Sequence, residues 1–317
     1  MSLSSLVKAR AAELGFLACG ITDTRPIAHG DRLDAWLAQG YAGTMRYLHR
    51  QAKRRRNPAL IVPDALAIVV VLENYYQPDE ASDRRAPRVA RYARGEDYHR
   101  ATGKRLDELA AFLEARGASV ARAYVDAGPV PERELAHRAG LGWIGKNTML
   151  IRPGVGSFFF IGTIFTDLPL EPEPPFELDH CGSCTRCLEA CPTDALVEPR
   201  VLDATRCISY LTIEYRGEIP AALADRFEGY AFGCDICNEV CPWNHRFAVS
   251  AGIPDFRSQH RLMGVGPEFF GKMDEEEFSR RFGDTPLARP GLEGMRRNVE
   301  AALASERAAH AGEGKQG

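Results

Sequence analysis

The stretch CGSCTRCLEACP, from Cys181 to Pro192, places four cysteines at spacings of two, two and three intervening residues, with a proline after the last. Bacterial two-cluster ferredoxins have this spacing: three close thiolates ligate one [4Fe–4S] cubane, and the fourth ligates the other. A second stretch, CDICNEVCP, from Cys234 to Pro242, has the same form but lacks its first cysteine. Cys207, between the two stretches, can supply the missing thiolate.

The crossover of the fourth ligand assigns eight of the nine cysteines to two clusters. We expect cluster 1 to be held by Cys181, Cys184, Cys187 and Cys241. We expect cluster 2 to be held by Cys191, Cys207, Cys234 and Cys237. Two four-cysteine zinc sites are the alternative, although successive CxxC spacings followed by CP are not a zinc-ribbon pattern. The ninth cysteine, Cys19, lies in an apolar run and is typical of a small buried hydrophobe.

Composition limits where the protein acts and what it binds. The 317 residues are 45% hydrophobic and carry a net charge of −3, so a polyanion must be met by a local basic patch. No run approaches the apolar length of a membrane span. Residues 1–16 predict an amphipathic helix and not a secretory signal. We therefore expect the protein in the cytoplasm, where thiols stay reduced and clustered cysteines bind metal. We also expect a monomer.

Hydrophobic periodicity on both sides of the cysteines predicts an α/β or α+β fold and leaves the strand order open. It predicts strands over 65–74, 120–125 and 157–165, and helices over 104–116, 274–282 and 292–303. An acidic, proline-rich stretch, 171–177, is typical of a linker, and a polar C-terminal tail is expected to be disordered. The predicted domains are residues 1–170, 171–250 and 251–317.

Three features of the first half are candidates for function. Asp126 ends a predicted strand and can be either a turn residue or an acid that faces a cofactor. The glycine-rich loop Gly140–Asn147 has neither the Walker nor the Rossmann spacing. The run Arg46–Arg56 contains six basic residues and no acid. Such a run is either a solvated helix face or a patch that contacts phosphates.

Several stretches together resemble the epoxyqueuosine reductase family, which carries out the last step of queuosine formation in tRNA. The stretches that carry the resemblance are Arg55–Pro58, Gly95–His99, Val125–Pro129, Gly140–Asn147, Cys207–Glu214, Gly233–Asn244 and Arg297–Asn298. The resemblance extends from near the N terminus to about Leu303, and the order and spacing of the stretches are specific. Longer members of the family continue into helical repeats.

The resemblance implies a nitroreductase-like domain that binds base-off cobalamin, followed by a ferredoxin-like two-cluster domain and a short helical C terminus. It implies a tRNA anticodon stem-loop as substrate, an external electron donor, and Asp126 as the proton donor. The implied contacts to cofactor or substrate are Arg55, Tyr98, Lys146, Asn147, Ser209, Glu214 and Asn244.

Three other functions are compatible with parts of this pattern. A reductive dehalogenase also combines a corrinoid with two cubanes, but such enzymes usually carry a twin-arginine export signal, which these first residues lack. A non-catalytic electron-transfer protein would use the first domain only to dock a partner. A zinc-dependent RNA-binding module would use the cysteines structurally.

Overall fold

The computed structural model describes residues 2–80, 87–257 and 265–313, and it confirms a mixed α/β fold. The helices are α1 Leu3–Glu13, α2 Gly30–Ala38, α3 Arg46–Arg56, α4 Tyr98–Glu114, α5 Glu132–Arg138, α6 Arg186–Glu189, α7 Ile208–Ile213, α8 Ala221–Ala224, α9 Ile236–Glu239, α10 Pro242–Phe247, α11 Pro267–Gly271, α12 Glu275–Phe282 and α13 Gly291–Glu313. The strands are β1 Ala18–Asp23, β2 Ala67–Asn74, β3 Arg88–Val89, β4 Ala121–Val125, β5 Trp143–Ile144, β6 Leu150–Ile151, β7 Phe159–Thr166, β8 Leu196–Glu198, β9 Val201–Leu202 and β10 Tyr230–Phe232.

The first half of the chain is built on a four-stranded antiparallel sheet in the order β1-β2-β7-β4. Its two central strands, β2 and β7, are the apolar runs that the sequence predicts at 65–74 and 157–165. Both strands are buried along nearly their whole length, because helices cover both faces of the sheet. This explains why their sequences are almost continuously apolar and do not alternate.

Helices α1 and α4 cover one face of this sheet, and α5 covers the other. Leu106, Leu109 and Leu113 of α4 pack with Val69 and Val71 of β2 in one core. The sequence predicts α4 only from residue 104, but the helix begins at Tyr98. The earlier start has a local cause: the Asp97 side chain caps the helix by accepting a hydrogen bond from the His99 backbone nitrogen at 2.9 Å.

The edge strand β1 was not predicted, because its sequence ACGITD is short and mixes small, polar and apolar residues. It pairs with β2 so that Cys19 lies opposite Val71. Cys19 packs against the core beneath the sheet, and burial raises the pKa of its thiol to about 12. These contacts agree with the prediction that Cys19 is a small buried hydrophobe.

Two further expectations need correction. Residues 171–177 are irregular, as a linker would be, but they are fixed to the first half: Glu173 accepts a hydrogen bond from Lys8 Nζ at 2.6 Å. The C-terminal helix runs to Glu313 and not to 303, so ten residues of the expected disordered tail are helical; residues 314–317 lie outside the described part. Within the described ranges, no helix combines the length and the apolar character needed to cross a bilayer.

The cysteine-rich segment packs against the first half through β10, which pairs in parallel with β3. Helices α11 to α13 add a core around Phe232, Phe270, Phe282 and Met295. A strand of the first half thus pairs with a strand of the cysteine-rich half. The domain limits near 170 and 250 stay a prediction.

The close contact between β1 and α5 gives a test of the fold. A Cβ at Gly20 would lie 2.3 Å from the backbone oxygen of Ala139, the residue that follows α5. We expect Gly20→Ala to lower the free energy of unfolding by about 1–3 kcal/mol, as overpacking does. Urea unfolding of the purified protein measures this.

The matched control is Gly103→Ala, within α4, where an added Cβ meets no atom within 4 Å. Alanine is the better helix former there, so this variant should gain about 0.5–1 kcal/mol. Equal stability of Gly20→Ala and the parent protein would contradict the close packing of α5 on β1.

Candidate active site and cluster ligands

A cavity of about 1150 Å³ lies where the end of β4 and the start of β7 meet the cysteine-rich segment. Much of its wall is aromatic or aliphatic, including Tyr75, Tyr92, Phe159 and Phe160. The cysteines that line it are Cys191, Cys207, Cys234 and Cys237. These four are the predicted ligands of cluster 2, so that site opens directly onto the cavity.

Asp126 follows β4 and lies in the cavity wall. Its φ of 46° is in the left-handed region, which aspartate tolerates better than most residues other than glycine. Its side chain is 63% exposed and accepts a hydrogen bond from the Tyr98 hydroxyl. Asp126 is therefore both a turn residue and an acid that faces the cavity, which the sequence leaves as alternatives.

Tyr98 and His99, at the start of α4, surround the Asp126 carboxylate. The Tyr98 ring stacks on Phe160 with 4.3 Å between centroids, and burial raises the pKa of its hydroxyl. His99 Nε2 lies 3.8 Å from Asp126 Oδ2. His99 Nδ1 lies 2.8 Å from Asp97 Oδ1, and this hydrogen bond raises the pKa of the imidazole.

Glu132, the first residue of α5, is a site residue that the sequence analysis missed. Its Oε1 accepts a hydrogen bond from the Asp126 backbone nitrogen at 2.6 Å. Burial, and secondly the charge of Asp126, raises the pKa of Glu132 to about 8. The sequence offers no signal for this role beyond an acid six positions after Asp126.

Arg55 holds the same loop from the other side. It donates hydrogen bonds to the backbone oxygens of Gly128 and Val130, at 3.1 and 3.2 Å. Burial lowers the pKa of its guanidinium, and its Nε is buried without a hydrogen-bond partner. Arg55 also lines the cavity, as do Tyr98, Asn147 and Ser209 of the implied contacts.

The other three implied contacts lie away from the cavity wall. Lys146 donates from Nζ to the backbone oxygens of Gly182 and Cys184, at 2.7 and 2.9 Å. Asn244 is buried and bonds to Ser157 and to the backbone oxygen of Asn238. Glu214 pairs with Arg289 at 3.1 Å. Lys146 and Asn244 therefore fix backbone around the cysteine stretches.

The cysteines divide into two groups by their electrostatic influence on one another. Burial, and then the charges of Cys181 and Cys184, raises the pKa of Cys241, although Cys241 belongs to the second sequence stretch. Cys181 and Cys241 likewise raise the pKa of Cys187, after burial. These four are the expected ligands of cluster 1.

The second group behaves in the same way. Burial, and then the charges of Cys237 and Cys207, raise the pKa of Cys234. The charge of Cys191 likewise raises the pKa of Cys207 and that of Cys237. Cys237 is also influenced by a member of the first group, Cys187, so the two groups adjoin. No three His, Cys, Asp or Glu side chains among the described residues are arranged to hold a single metal ion.

An aromatic cluster borders the first cysteine group. The Trp143 indole N–H donates to Cys181 Sγ at 3.4 Å. Trp143 is buried and packs edge to face on Trp243, with 5.0 Å between ring centroids. The exposed ring of His180 completes this cluster. The first cysteine group is thus bordered by apolar side chains and lies outside the cavity wall.

The basic run Arg46–Arg56 forms the whole of helix α3. Its exposed basic residues are Arg46, Arg50, Lys53 and Arg54. Their spacing of four, seven and eight residues from the first puts them on one face of the helix. Arg56 turns away and pairs with Asp34 at 2.6 Å. One helix thus exposes four cations while Arg55 supports the Asp126 loop.

Two family models match this chain. The model described as "Epoxyqueuosine reductase QueG, DUF1730" matches residues 55–127, and a 4Fe-4S double cluster binding domain matches residues 180–244. An epoxyqueuosine reductase from Pseudomonas aeruginosa is 42% identical over 308 residues, which cover 95% of this chain and 85% of the relative. One from Xanthomonas campestris pv. campestris is 43% identical over 305 residues, 94% and 85% of the two chains.

Solved structures agree with the sequence relatives. A selenomethionine-labelled epoxyqueuosine reductase matches with a TM-score of 0.86 and 31% identity, over 98% of this chain and 83% of that chain. An epoxyqueuosine reductase in complex with an epoxyqueuosine-modified tRNA stem loop matches with a TM-score of 0.86 and 30% identity, over the same shares. Sequence and structure relatives of this extent decide the family. The chain belongs to the epoxyqueuosine reductase family.

Proposed function

We propose that this protein reduces epoxyqueuosine to queuosine at the wobble position of the tRNA anticodon. The observation that carries the proposal is the composition of one cavity wall, which contains both an acid, Asp126, and the four cysteines expected to hold cluster 2. Protons and electrons can therefore reach one bound substrate. Reduced thiols and a tRNA substrate both favour the cytoplasm as the place of this reaction.

The reaction consumes two electrons and two protons: the epoxide becomes an alkene, and its oxygen leaves as water. Each [4Fe–4S] cluster passes one electron at a time. Cluster 1 would be held by the cysteine group outside the cavity wall, Cys181, Cys184, Cys187 and Cys241. Cluster 2 would be held by Cys191, Cys207, Cys234 and Cys237, which line the cavity. When bound, the two clusters would supply the single electrons that the reduction needs.

The residues of the cavity fit the cobalamin that the family resemblance implies. The cavity is large, and aromatic and aliphatic side chains line much of it, as a corrin ring requires. Arg55 would meet a polar group of the bound cofactor, because its buried Nε lacks a partner; Tyr98, Asn147 and Ser209 would hold the cofactor beside it. When bound, the corrinoid would supply the two-electron reductant that protein side chains cannot provide.

Asp126 is proposed to donate a proton to the leaving epoxide oxygen. The Tyr98 hydroxyl orients its carboxylate, while Arg55 and Glu132 hold its loop. The exposed face of α3 is proposed to contact the phosphates of the tRNA stem-loop, because four cations on one helix face provide a local positive field in a chain of net charge −3. Lys146 and Asn244 are proposed to support the cluster loops.

Family membership argues against the three other functions considered from the sequence. The relatives at 42–43% identity are reductases of epoxyqueuosine, and neither dehalogenases nor simple electron carriers. The match to a 4Fe-4S double cluster domain over residues 180–244 favours cubanes over zinc.

The first prediction concerns the crossover of ligands between clusters. Anaerobically purified protein should contain about eight irons per chain, because each of two cubanes holds four. Cys241→Ser should alter the spectroscopic signals of cluster 1 although Cys241 lies in the second cysteine stretch. Electron paramagnetic resonance of the reduced protein, with iron and sulfide analysis, measures both effects.

The control is Cys19→Ala, which removes a thiol from β1 and should leave the iron content unchanged. If Cys241→Ser instead disturbs only the cluster held by Cys234 and Cys237, the assignment is wrong.

The second prediction concerns Asp126. Asp126→Asn keeps the hydrogen-bond acceptor for Tyr98 and tolerates the left-handed backbone, but it cannot donate an acid proton. We expect the variant to keep its clusters and bind cobalamin, and to lose roughly a hundredfold or more in single-turnover rate. Melting temperature, cobalamin binding and rate are measured on one preparation. A near-normal rate would rule out the acid role.

The third prediction concerns RNA binding. The double charge reversal Lys53→Glu/Arg54→Glu on α3 should weaken binding of an anticodon stem-loop and flatten its salt dependence, by about one unit of log–log slope per lost phosphate contact. Fluorescence titration between low and moderate salt measures both quantities.

The matched control is Lys104→Glu/Arg116→Glu, which makes the same change in charge at two exposed positions, one in α4 and one just after it. Equal affinity and salt slope for the α3 variant and this control would identify the exposed face of α3 as a solvated surface.

A further inference from the structure

The carboxyl group of Glu132 lies inside the site, yet the proton transfer proposed above gives it no chemical part. Glu132 is the first residue of α5 and directly follows the Asp126 loop. It is half-buried in the cavity wall. A partly buried carboxyl beside a second carboxyl is a costly arrangement, because burial and like charge both disfavour ionisation.

Glu132 first fixes the backbone of Asp126. The φ of 46° at Asp126 is unfavourable for a side-chain-bearing residue and persists only where neighbours hold it. The Asp126 amide donates to Glu132 Oε1 at 2.6 Å, while Arg55 binds the backbone oxygens of Gly128 and Val130. The Glu132 carboxyl thus holds the loop by accepting from its N–H, and the Arg55 guanidinium holds it by donating to its carbonyl groups.

The surroundings of the Glu132 carboxyl also favour its protonated form. The charged and titratable groups facing it are Asp126 from its loop, Tyr98 from α4, Arg55 from α3 and Arg133 from its own helix. The two arginines favour the ionised form, but burial and Asp126 outweigh them and raise the pKa of Glu132 to about 8. Below that pH the side chain is mostly neutral.

We propose that Glu132 is a positioning residue that holds Asp126 in the cavity and stores the proton that Asp126 delivers. The inference rests on the proposed function, because it needs Asp126 as the group that meets the substrate. The proton moves from the Glu132 carboxyl to the Asp126 carboxylate and from there to the epoxide oxygen. Glu132 ends as the carboxylate and is reprotonated from solvent; no electrons move in this relay.

The decisive variant is Glu132→Gln, in the enzyme loaded with both clusters and cobalamin. The amide oxygen can still accept from the Asp126 N–H, but the side chain can neither hold nor release a proton. We expect single-turnover reduction of an epoxyqueuosine-bearing stem-loop to fall roughly tenfold or more at pH 7. We expect the parent enzyme to lose rate as the pH rises through the pKa of Glu132, near 8, and Glu132→Gln to lack this loss because it has no titrating carboxyl.

The positioning role has a readout separate from activity. Glu132→Ala removes the acceptor as well, so hydrogen exchange of the peptide covering residues 126–131 should accelerate roughly tenfold or more, whereas Glu132→Gln should leave it near the parent rate. Glu108→Gln, an exposed neutralisation in α4, controls for charge and should change neither quantity.

Asp126→Asn in the same assay separates the roles of Glu132 from the acid role of Asp126. If Asp126→Asn is inactive and Glu132→Gln keeps the parent rate and pH profile, proton storage is overturned and the proposed function stands. If Glu132→Ala leaves exchange of residues 126–131 unchanged, the positioning role is overturned. A normal rate for Asp126→Asn would overturn the acid role itself, and proton storage with it.

Discussion

The contact of Arg91 with the cysteine-rich segment joins the two parts of the chain that share the cavity. The Arg91 backbone nitrogen donates to Asp235 Oδ2 at 2.7 Å, and its buried guanidinium pairs with Asp79 and, at 3.1 Å, with Glu239. Asp235 lies directly after Cys234, so this contact also fixes one of the cysteine stretches. Removing one partner of such a buried group typically costs about 3–5 kcal/mol, because the remaining charge is left unpaired.

Because two parts of the chain share the cavity, its wall can combine groups that neither part holds alone. The sheet contributes Asp126 at the end of β4, and the cysteine-rich segment contributes Cys191, Cys207, Cys234 and Cys237. Electron transfer needs a short path from a cluster to the bound group, and proton transfer needs an acid at hydrogen-bond distance. The interface places groups of both kinds in one cavity wall.

The sequence predicts those features that depend on spacing or on continuous burial. Cysteine spacing predicts the two groups of thiols that influence one another's pKa, and apolar runs predict the central strands β2 and β7. It does not predict β1, which is short and mixed, or the role of Glu132, which depends on the backbone conformation of Asp126. Lys146 and Asn244, which the resemblance implies as contacts to cofactor or substrate, bond to protein groups, and a one-dimensional pattern does not reveal these bonds.

Two carboxyl groups of the site lie in contrasting environments, and this contrast assigns their roles. Asp126 is largely exposed and accepts a hydrogen bond from the Tyr98 hydroxyl, whereas Glu132 is half-buried, and burial and the charge of Asp126 raise its pKa to about 8. Acids paired in this way commonly divide the tasks of holding and transferring a proton. A bound corrinoid and RNA would cover Asp126 and remove its water. The proton for the substrate would then come from groups that line the cavity and not from solvent.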